Sequence, residues 1–573
     1  MIVSNLETYI NQLFTSPYQL FILYLITNCI PSFALAHTEP INIFGKICMT
    51  IFSCGFNILL LSIPKNSATF ILYFPLYIVF HCMQIVLLYI FGEAVIAVDM
   101  FLNLATTNAT EAGELLDNIW PIIFIVCFIY APTLLIAFFS RKSNLNTPNT
   151  FKKKAQRVAF ILIAVSFVIS FFGRNDVTGR FTYHEDVYPI NVFYNLGFAI
   201  NKYYQSKNYP SLSKDFKFHS IKSTNASTRE IYVLVVGEAS RAENWQLYGY
   251  HRNTNPKLYQ NQGIVKFDDV LTQSITTHKS VPLILTSASA EDYSVIYSHK
   301  SIVNAFKEAG FKTAFYSNQI PDGSFLDYYA QEADSHENIR HSEAGGYITI
   351  NNYDEFLLPL LQNFIDSTPG NLFIVLHTYG SHYNYRERYP TNFSVFTPDD
   401  SCSIKKENRQ LLINSYDNTI AYTDDFLSNV ISILESSKAT TAMFYSSDHG
   451  EDMLDDDRQR FLHSSPSPTY YQLKIPMFMW FSNLYKSAFP SKVQNAANNH
   501  AIPITTNTVF HTVLDMASLN TTDFDPQLSL VNQNLQKQHR MFLNDHDKPI
   551  FFYNSGIKSQ DKEMIEKRHI NYM

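Results

Sequence analysis

Apolar residues dominate five stretches near the start of the chain, Tyr18–Ala36, Ile41–Pro64, Thr69–Phe91, Ile119–Phe139 and Arg157–Phe172. Most reach the roughly 20 residues that cross a bilayer as a helix, and residues 1–173 are therefore expected to form a five-span transmembrane domain. Residues 174–228 are rich in Tyr, Asn, Lys and Ser and read as a juxtamembrane linker. Within it Ile190, Phe193, Tyr194, Gly197 and Ile200 share one helical face, which suits a helix lying in the lipid interface or one packed on the following domain. After Arg229 the pattern changes to short β-rich runs alternating with helical segments. Ile231–Val236, Lys312–Ser317, Leu372–Leu376 and Thr441–Ser446 read as buried strands, with Ser301–Ala309 and Asn414–Leu434 among the helices between them. That alternation predicts an α/β domain over residues 229–573, with a mainly parallel central sheet covered by helices on both faces.

Composition agrees with two unlike parts. Hydrophobic residues make up 46% and charged residues 16%, yet mean hydropathy is only −0.07, the average of a very apolar segment and a polar one. A net charge of −7 argues against a nucleic-acid partner. The loop before the last span carries Arg141, Lys142, Lys152, Lys153, Lys154 and Arg157, whereas the preceding loop carries Glu93, Asp99, Glu111, Glu114 and Asp117. The positive-inside rule puts the basic loop in the cytoplasm and everything after Phe172 outside. No basic n-region precedes a lone short apolar segment, so a cleaved signal peptide is not expected. Cys29, Cys48, Cys54, Cys82 and Cys127 fall within the proposed spans, leaving Cys402 alone in the exported part, where it has no partner for an internal disulfide.

In a parallel α/β sheet, ligands sit at the carboxyl ends of the strands. The first strand runs into Gly237-Glu238-Ala239-Ser240-Arg241, the third into His377-Thr378-Tyr379-Gly380-Ser381-His382, and the fourth into Ser447-Asp448-His449-Gly450-Glu451, with His463 a short loop later. A donor set of Asp, Glu and His without Cys suits Zn²⁺ or Mn²⁺ and excludes a thiolate zinc site. Between the first two strands lies Thr276-Thr277-His278-Lys279-Ser280-Val281-Pro282, a polar turn before an apolar helix. A hydroxyl there can be a metal-activated nucleophile, or Thr276, Thr277 or Ser280 can cap the helix. Asp455-Asp456-Asp457 reads as a solvated acidic run, and His299, His336 and His341 as surface residues.

The run Val236–Arg241, followed by Leu247-Tyr248-Gly249-Tyr250-His251-Arg252-Asn253-Thr254-Asn255-Pro256, closely resembles the opening motif of the bacterial phosphoethanolamine transferases, members of the sulfatase and alkaline phosphatase superfamily. The segment Thr277–Pro282 matches their nucleophile turn and selects Thr277 over Thr276. Gly380-Ser381-His382, Ser447–Glu451, His463 and the five spans match too. The resemblance implies zinc, with Mn²⁺ the alternative, held by Glu238, Thr277, Asp448 and His449. His382 and His463 would then serve substrate, a phosphate or a second metal. It implies transfer of phosphoethanolamine from phosphatidylethanolamine to lipopolysaccharide (lipid A or core sugar) or another surface glycan. The transfer would pass through a covalent intermediate on Thr277, in a multi-pass protein of the bacterial inner membrane whose catalytic domain is periplasmic. Asn318, Gln319 and Glu451 are the further expected substrate-binding residues. Two departures stand out: Leu283 replaces a Cys that members often carry after Ser-Val-Pro, and the Lys expected shortly after Gln319 is missing. The rivals are a phosphoglycerol transferase or a hydrolase of the same superfamily; a binding protein that has lost catalysis would lack one of these residues.

Overall fold

The computed structural model describes residues 16–92, 95–106, 109–141, 145–176, 179–224, 226–341, 352–465 and 467–572. Glu93 and Lys142, counted above among the loop charges, lie outside the described residues, as do the side chains of Glu111, Glu114 and Asp117. The chain divides into two compact units. One holds the described residues up to Phe101 together with Leu115–Ile200, and the other holds Leu102–Glu114 and Asn201 onward.

The first unit is helical: α1 (Pro17–Thr38), α2 (Ile43–Ser62), α3 (Ser67–Tyr73), α4 (Pro75–Phe91), α5 (Ala109–Ser140) and α6 (Asn149–Ser170). Among the described residues α1, α2 and the Asn118–Ser140 part of α5 are long and apolar enough to cross a membrane, and α3 with α4 adds a fourth if the bent pair is one span. The expected continuous span Thr69–Phe91 is broken by a 75° bend. Pro75 has no N–H to give and excludes Phe74 from helical geometry, which accounts for the break. The fifth expected span falls in α6, whose first half carries Lys152, Lys153, Lys154 and Arg157, and this helix is not among the three or four. The linker divides between the units. Tyr188 meets His81 at 2.5 Å and Asn195 donates to the Ile96 carbonyl in the first, while Tyr209 and Phe218 join the core of the second. A helix does cover the expected amphipathic face: α7 (Ile190–Lys207) buries Asn191, Val192, Asn195 and Ala199 and exposes Phe193, Tyr194, Ile200 and Tyr204.

The second unit is built on a seven-stranded sheet of β1 (Glu230–Gly237), β2 (Ile264–Lys266), β3 (Lys312–Ser317), β4 (Ser335–Asn338), β5 (Leu372–His377), β6 (Thr440–Ser447) and β7 (Met477–Phe481), in the order β2-β7-β6-β1-β5-β3-β4. The four strands expected from sequence are its centre and are mutually parallel. The sheet is nevertheless mixed, because β7 runs antiparallel to β6 and to β2.

Every residue of β1 is buried, and strand alternation sends Tyr232, Leu234 and Val236 to one side and Ile231, Val233 and Val235 to the other. The first side packs under α8 (Thr277–Leu285), α9 (Ile302–Glu308) and the short α10 (Phe325–Gln331) through Val281, Leu283, Phe306 and Tyr329. The second packs under α11 (Leu357–Ser367) and α12 (Arg409–Ser436) through Leu361, Tyr416 and Leu427. Leu283, at the position where a disulfide was missing, is fully buried in the first core, so apolar packing holds the nucleophile turn in its place. All cysteines in the described residues are free.

Candidate active site

Register brings the chemistry together. Val236 pairs with His377 across β1 and β5, and Gly237 pairs with Ser447 across β1 and β6, so the carboxyl ends of three adjacent strands are level. Glu238, Thr378 and Asp448 each follow directly. The chain turns sharply after Glu238 because Ala239 takes a left-handed conformation (φ 53°), and the Ala239 N–H donates to Asp448 Oδ1 at 3.1 Å.

Thr277 is the first residue of α8. Thr276 occupies the capping position, where its hydroxyl pairs with Ser274 rather than with the helix, and this leaves the Thr277 hydroxyl to the site. Thr277 Oγ1 lies 3.3 and 3.4 Å from the two Glu238 carboxylate oxygens and 3.2 Å from His449 Nε2. Ser280, one turn on, donates to Asp448 Oδ2 at 3.0 Å and so ties the helix to the strand end. A hydroxyl at a helix N-terminus faces the positive end of the helix dipole, a favourable place for an anionic phosphoryl group.

Glu238, His449 and His463 present ligand atoms within 4.8 Å of one another, and Asp448 Oδ2 stands 3.2 Å from His449 Nε2. His449 Nδ1 meets the Gly450 carbonyl at 2.9 Å and His463 Nδ1 meets Glu451 Oε2 at 2.7 Å; with Nδ1 as donor in each ring, the Nε2 lone pair is turned inward. Burial lowers the pKa of both imidazoles, His463 to about 4, which keeps the rings neutral as metal ligation requires. Hard carboxylate oxygens beside imidazole nitrogens form a donor set that fits a divalent zinc or manganese ion.

His382 stacks on Tyr379, and its ring centre is 6.2 Å from that of His463. Two guanidiniums, Arg340 and Arg388, lie over the same Tyr379 ring at 3.8 and 4.5 Å, giving positive potential beside His382. Of the residues expected to bind substrate, Glu451 is fully buried behind His463 and accepts a hydrogen bond from Tyr385. Asn318 is likewise committed: its amide donates to Asp354 and to the Asn352 carbonyl. Gln319 lines a cleft that also holds Thr277. His377, Asp322 and Asp327 share that cleft and had no role from sequence, although His377 opens a motif that drew attention. His336 and His341 are exposed as expected, whereas His299 is half-buried against Phe216 and bonded to Asp523. The acidic run is not simply solvated: Asp455 is buried between Arg241 and Arg409.

Gly380 presses on this arrangement. It has φ +48°, and a Cβ there would sit 2.7 Å from the Glu238 carbonyl oxygen. Gly380→Ala is therefore expected to cost about 1–3 kcal/mol of stability and to displace Glu238. Chemical denaturation together with metal content of the purified variant checks both; unchanged metal content would show that Glu238 had not moved.

Comparison with known proteins agrees with this geometry. A family model described as Sulfatase matches residues 230–519, which contain Glu238, Thr277, His382, Asp448, His449 and His463. Phosphoethanolamine transferase EptA of Escherichia coli K12 is 31% identical over 274 residues, 46% of this chain and 49% of that protein. The Kdo(2)-lipid A phosphoethanolamine 7''-transferase of the same strain is 31% identical over 281 residues, 47% and 46% of the two chains. The chain thus spans about half the length of the curated relatives it matches. In fold, it resembles the integral membrane lipooligosaccharide phosphoethanolamine transferase A (EptA) of Neisseria meningitidis, with a TM-score of 0.71, 21% identity and coverage of 90% of this chain and 98% of that one. The zinc complex of the C-terminal periplasmic domain of EptC from Escherichia coli has a TM-score of 0.53 at 23% identity, covering 58% and 95%. With the family model spanning just over half of the chain and enclosing the strand-end carboxylates, the imidazoles and the threonine they surround, the chain belongs to the sulfatase family.

Proposed function

We propose that the protein transfers phosphoethanolamine from phosphatidylethanolamine to a lipopolysaccharide acceptor, lipid A or a core sugar, with Thr277 as the covalent carrier. The observation that carries this reading is the Thr277 hydroxyl, placed at a helix N-terminus within 3.4 Å of Glu238 and 3.2 Å of His449. The relatives named as phosphoethanolamine transferases support the transferred group, and one of them is named for a Kdo(2)-lipid A acceptor.

In the first step Thr277 Oγ1 bonds to phosphorus, the bond from phosphorus to the glycerol oxygen breaks, and diacylglycerol leaves with a proton. In the second an acceptor oxygen bonds to phosphorus and the Thr277 oxygen departs and regains its proton. The Thr277 hydroxyl faces Glu238, and His382, beside the His463 ring, is the imidazole that can pass a proton to the leaving oxygen. Zinc bound by Glu238, His449 and His463, with Asp448 and Thr277 beside them, would lower the proton affinity of the hydroxyl and neutralise charge on the phosphoryl oxygens.

The donor is a lipid, which gives the N-terminal helices their purpose. In this reading residues 1–173 anchor the chain with five spans in the bacterial inner membrane, residues 174–228 link, and residues 229–573 work in the periplasm. The aromatic face of α7, with Phe193, Tyr194 and Tyr204 exposed, suits the headgroup layer.

Incubating the full-length protein with liposomes containing both phosphatidylethanolamine and phosphatidylglycerol is expected to add one phosphoethanolamine mass, on the peptide containing Thr277. An adduct on Thr276, or one of phosphoglycerol mass, would refute the reading. Periplasmic activity of a reporter fused after Phe172 checks the topology; activity only in the cytoplasm would reverse it.

A further inference from the structure

The cleft beside Thr277 is chemically uneven. Thr277 lines it from the start of α8 and His377 from the end of β5, Asp322 and Asp327 from the loop and helix that follow β3, and Phe315 and Leu326 give it apolar wall. His377 is 1% exposed, and its Nε2 has no hydrogen-bond partner among the described residues. A buried polar atom left in that state costs free energy unless a ligand satisfies it. Ser317 Oγ accepts from the Gln319 N–H at 3.0 Å and lies 3.4 Å from His377 Nδ1; with Nδ1 accepting the Ser317 hydroxyl hydrogen, Nε2 carries the ring proton. In that tautomer the unpartnered Nε2 is an N–H donor that suits a phosphoryl oxygen.

The two carboxylates suit the opposite charge. Asp322 accepts from the Ser324 N–H at 2.8 Å and Asp327 from the Gly323 N–H, so both are anchored by the loop they share. Lys207 stands nearby, donating to the Gly323 carbonyl at 3.0 Å and acting electrostatically on Asp327. Among the described residues that line the cleft Asp322 and Asp327 are the charged ones, and against the Lys207 ammonium beside them they leave a net negative charge and room for a second cation. A primary ammonium has three N–H donors for them, a trimethylammonium has none, and a glycerol headgroup has no charge.

Resting on the reading of Thr277 as the carrier and of the cleft beside it as the place of the donor headgroup, we propose that Asp322 and Asp327 select a primary ammonium, making them determinants of donor specificity. His377 Nε2–H meets a phosphoryl oxygen of the same headgroup. The missing lysine then has a physical meaning, since a cation in this loop would repel the ammonium that the carboxylates bind.

The test uses the full-length protein in liposomes and reads diacylglycerol release from phosphatidylethanolamine and from phosphatidylglycerol on the same preparation. The wild type is expected to favour phosphatidylethanolamine. Asp322→Asn should reduce kcat/KM for that donor roughly tenfold, the worth of one charge-assisted hydrogen bond, with phosphatidylglycerol use unchanged. Asp322 is exposed, so this variant keeps the fold, and Asp322→Asn with Asp327→Asn should abolish the preference. Because a ratio is read, a partly misfolded preparation cannot imitate the result. Undiminished selectivity in the double variant overturns this inference and leaves the transferase reading intact. A wild type that takes phosphatidylglycerol and ignores phosphatidylethanolamine overturns both.

Discussion

Thr277→Ala is expected to lower transfer by roughly 10³-fold or more while the protein remains folded and inserted. The expectation rests on how little else Thr277 does. Its Oγ1 contacts are with Glu238 and His449, and the helix-capping position belongs to Thr276. Alanine is well tolerated in a first helical turn, so the thermal midpoint should barely move. Activity would fall because no other hydroxyl in the turn can replace it: Thr276 is turned to Ser274, and Ser280 is held by Asp448. Thr277→Ser, which keeps the hydroxyl, should retain measurable turnover and form the same covalent adduct at Ser. Steady-state rates and intact mass of the three proteins decide the matter. An alanine variant that keeps a tenth of the activity would mean that the threonine orients substrate and that water or the acceptor attacks directly.

The parts of this site visible in the sequence are those that local pattern determines. A buried parallel strand is a run of β-branched and aromatic residues, so Ile231–Val236 and Leu372–Leu376 announced themselves, and with them Glu238 and His382 at their ends. The antiparallel strand of the sheet did not. Met477–Phe481 is just as apolar, but its antiparallel course follows from pairing with β6 and β2, which a single run of residues does not encode. His463 shows the same limit. Sequence set it beside His382 as a substrate or second-metal residue, and only the fold reveals that its ligand atom groups with those of Glu238 and His449. The donor cleft was harder still. Asp322 and Asp327 lie in an ordinary polar loop, and their proximity to Thr277, 45 and 50 residues earlier in the chain, is created by the packing of α8 and α10 on one face of the sheet. The bend at Pro75 could have been read from the proline, had the apolar run around it not looked continuous.

Asp455→Ala is expected to destabilise the protein by about 3–5 kcal/mol, a large share of an ordinary folding free energy. The acidic run looks like surface charge, and two of its three members behave so. Asp456 is partly exposed beside Arg458, which also holds Asp561, and Asp457 is exposed and accepts from Gln560. Asp455 differs because of what it faces. Its Oδ2 lies 2.6 Å from Arg241 Nη1, with both side chains 5% exposed, and Oδ1 accepts from Arg409 at 3.0 Å. Arg241 sits in the Glu238-Ala239-Ser240-Arg241 turn, spans Tyr416 and Tyr471, and donates to the Glu451 carbonyl. Removing the carboxylate strands a guanidinium in the interior, and burying an unpaired charge outweighs the pair's own modest net worth. The disturbance also reaches the chemistry, because Glu451 is the residue that orients His463. Asp456→Ala should cost about 1 kcal/mol, because Arg458 keeps Asp561 as a partner, and Asp457→Ala less, because Asp457 is exposed. Urea unfolding of the three variants, with Arg241→Met/Asp455→Leu as a fourth, separates the alternatives. The double replacement removes both charges and should recover much of the loss. Three equal single-variant losses would mean that Asp455 is no more than surface charge, and a double variant as unstable as Asp455→Ala would mean that packing around Arg241, rather than its charge, is what the aspartate protects.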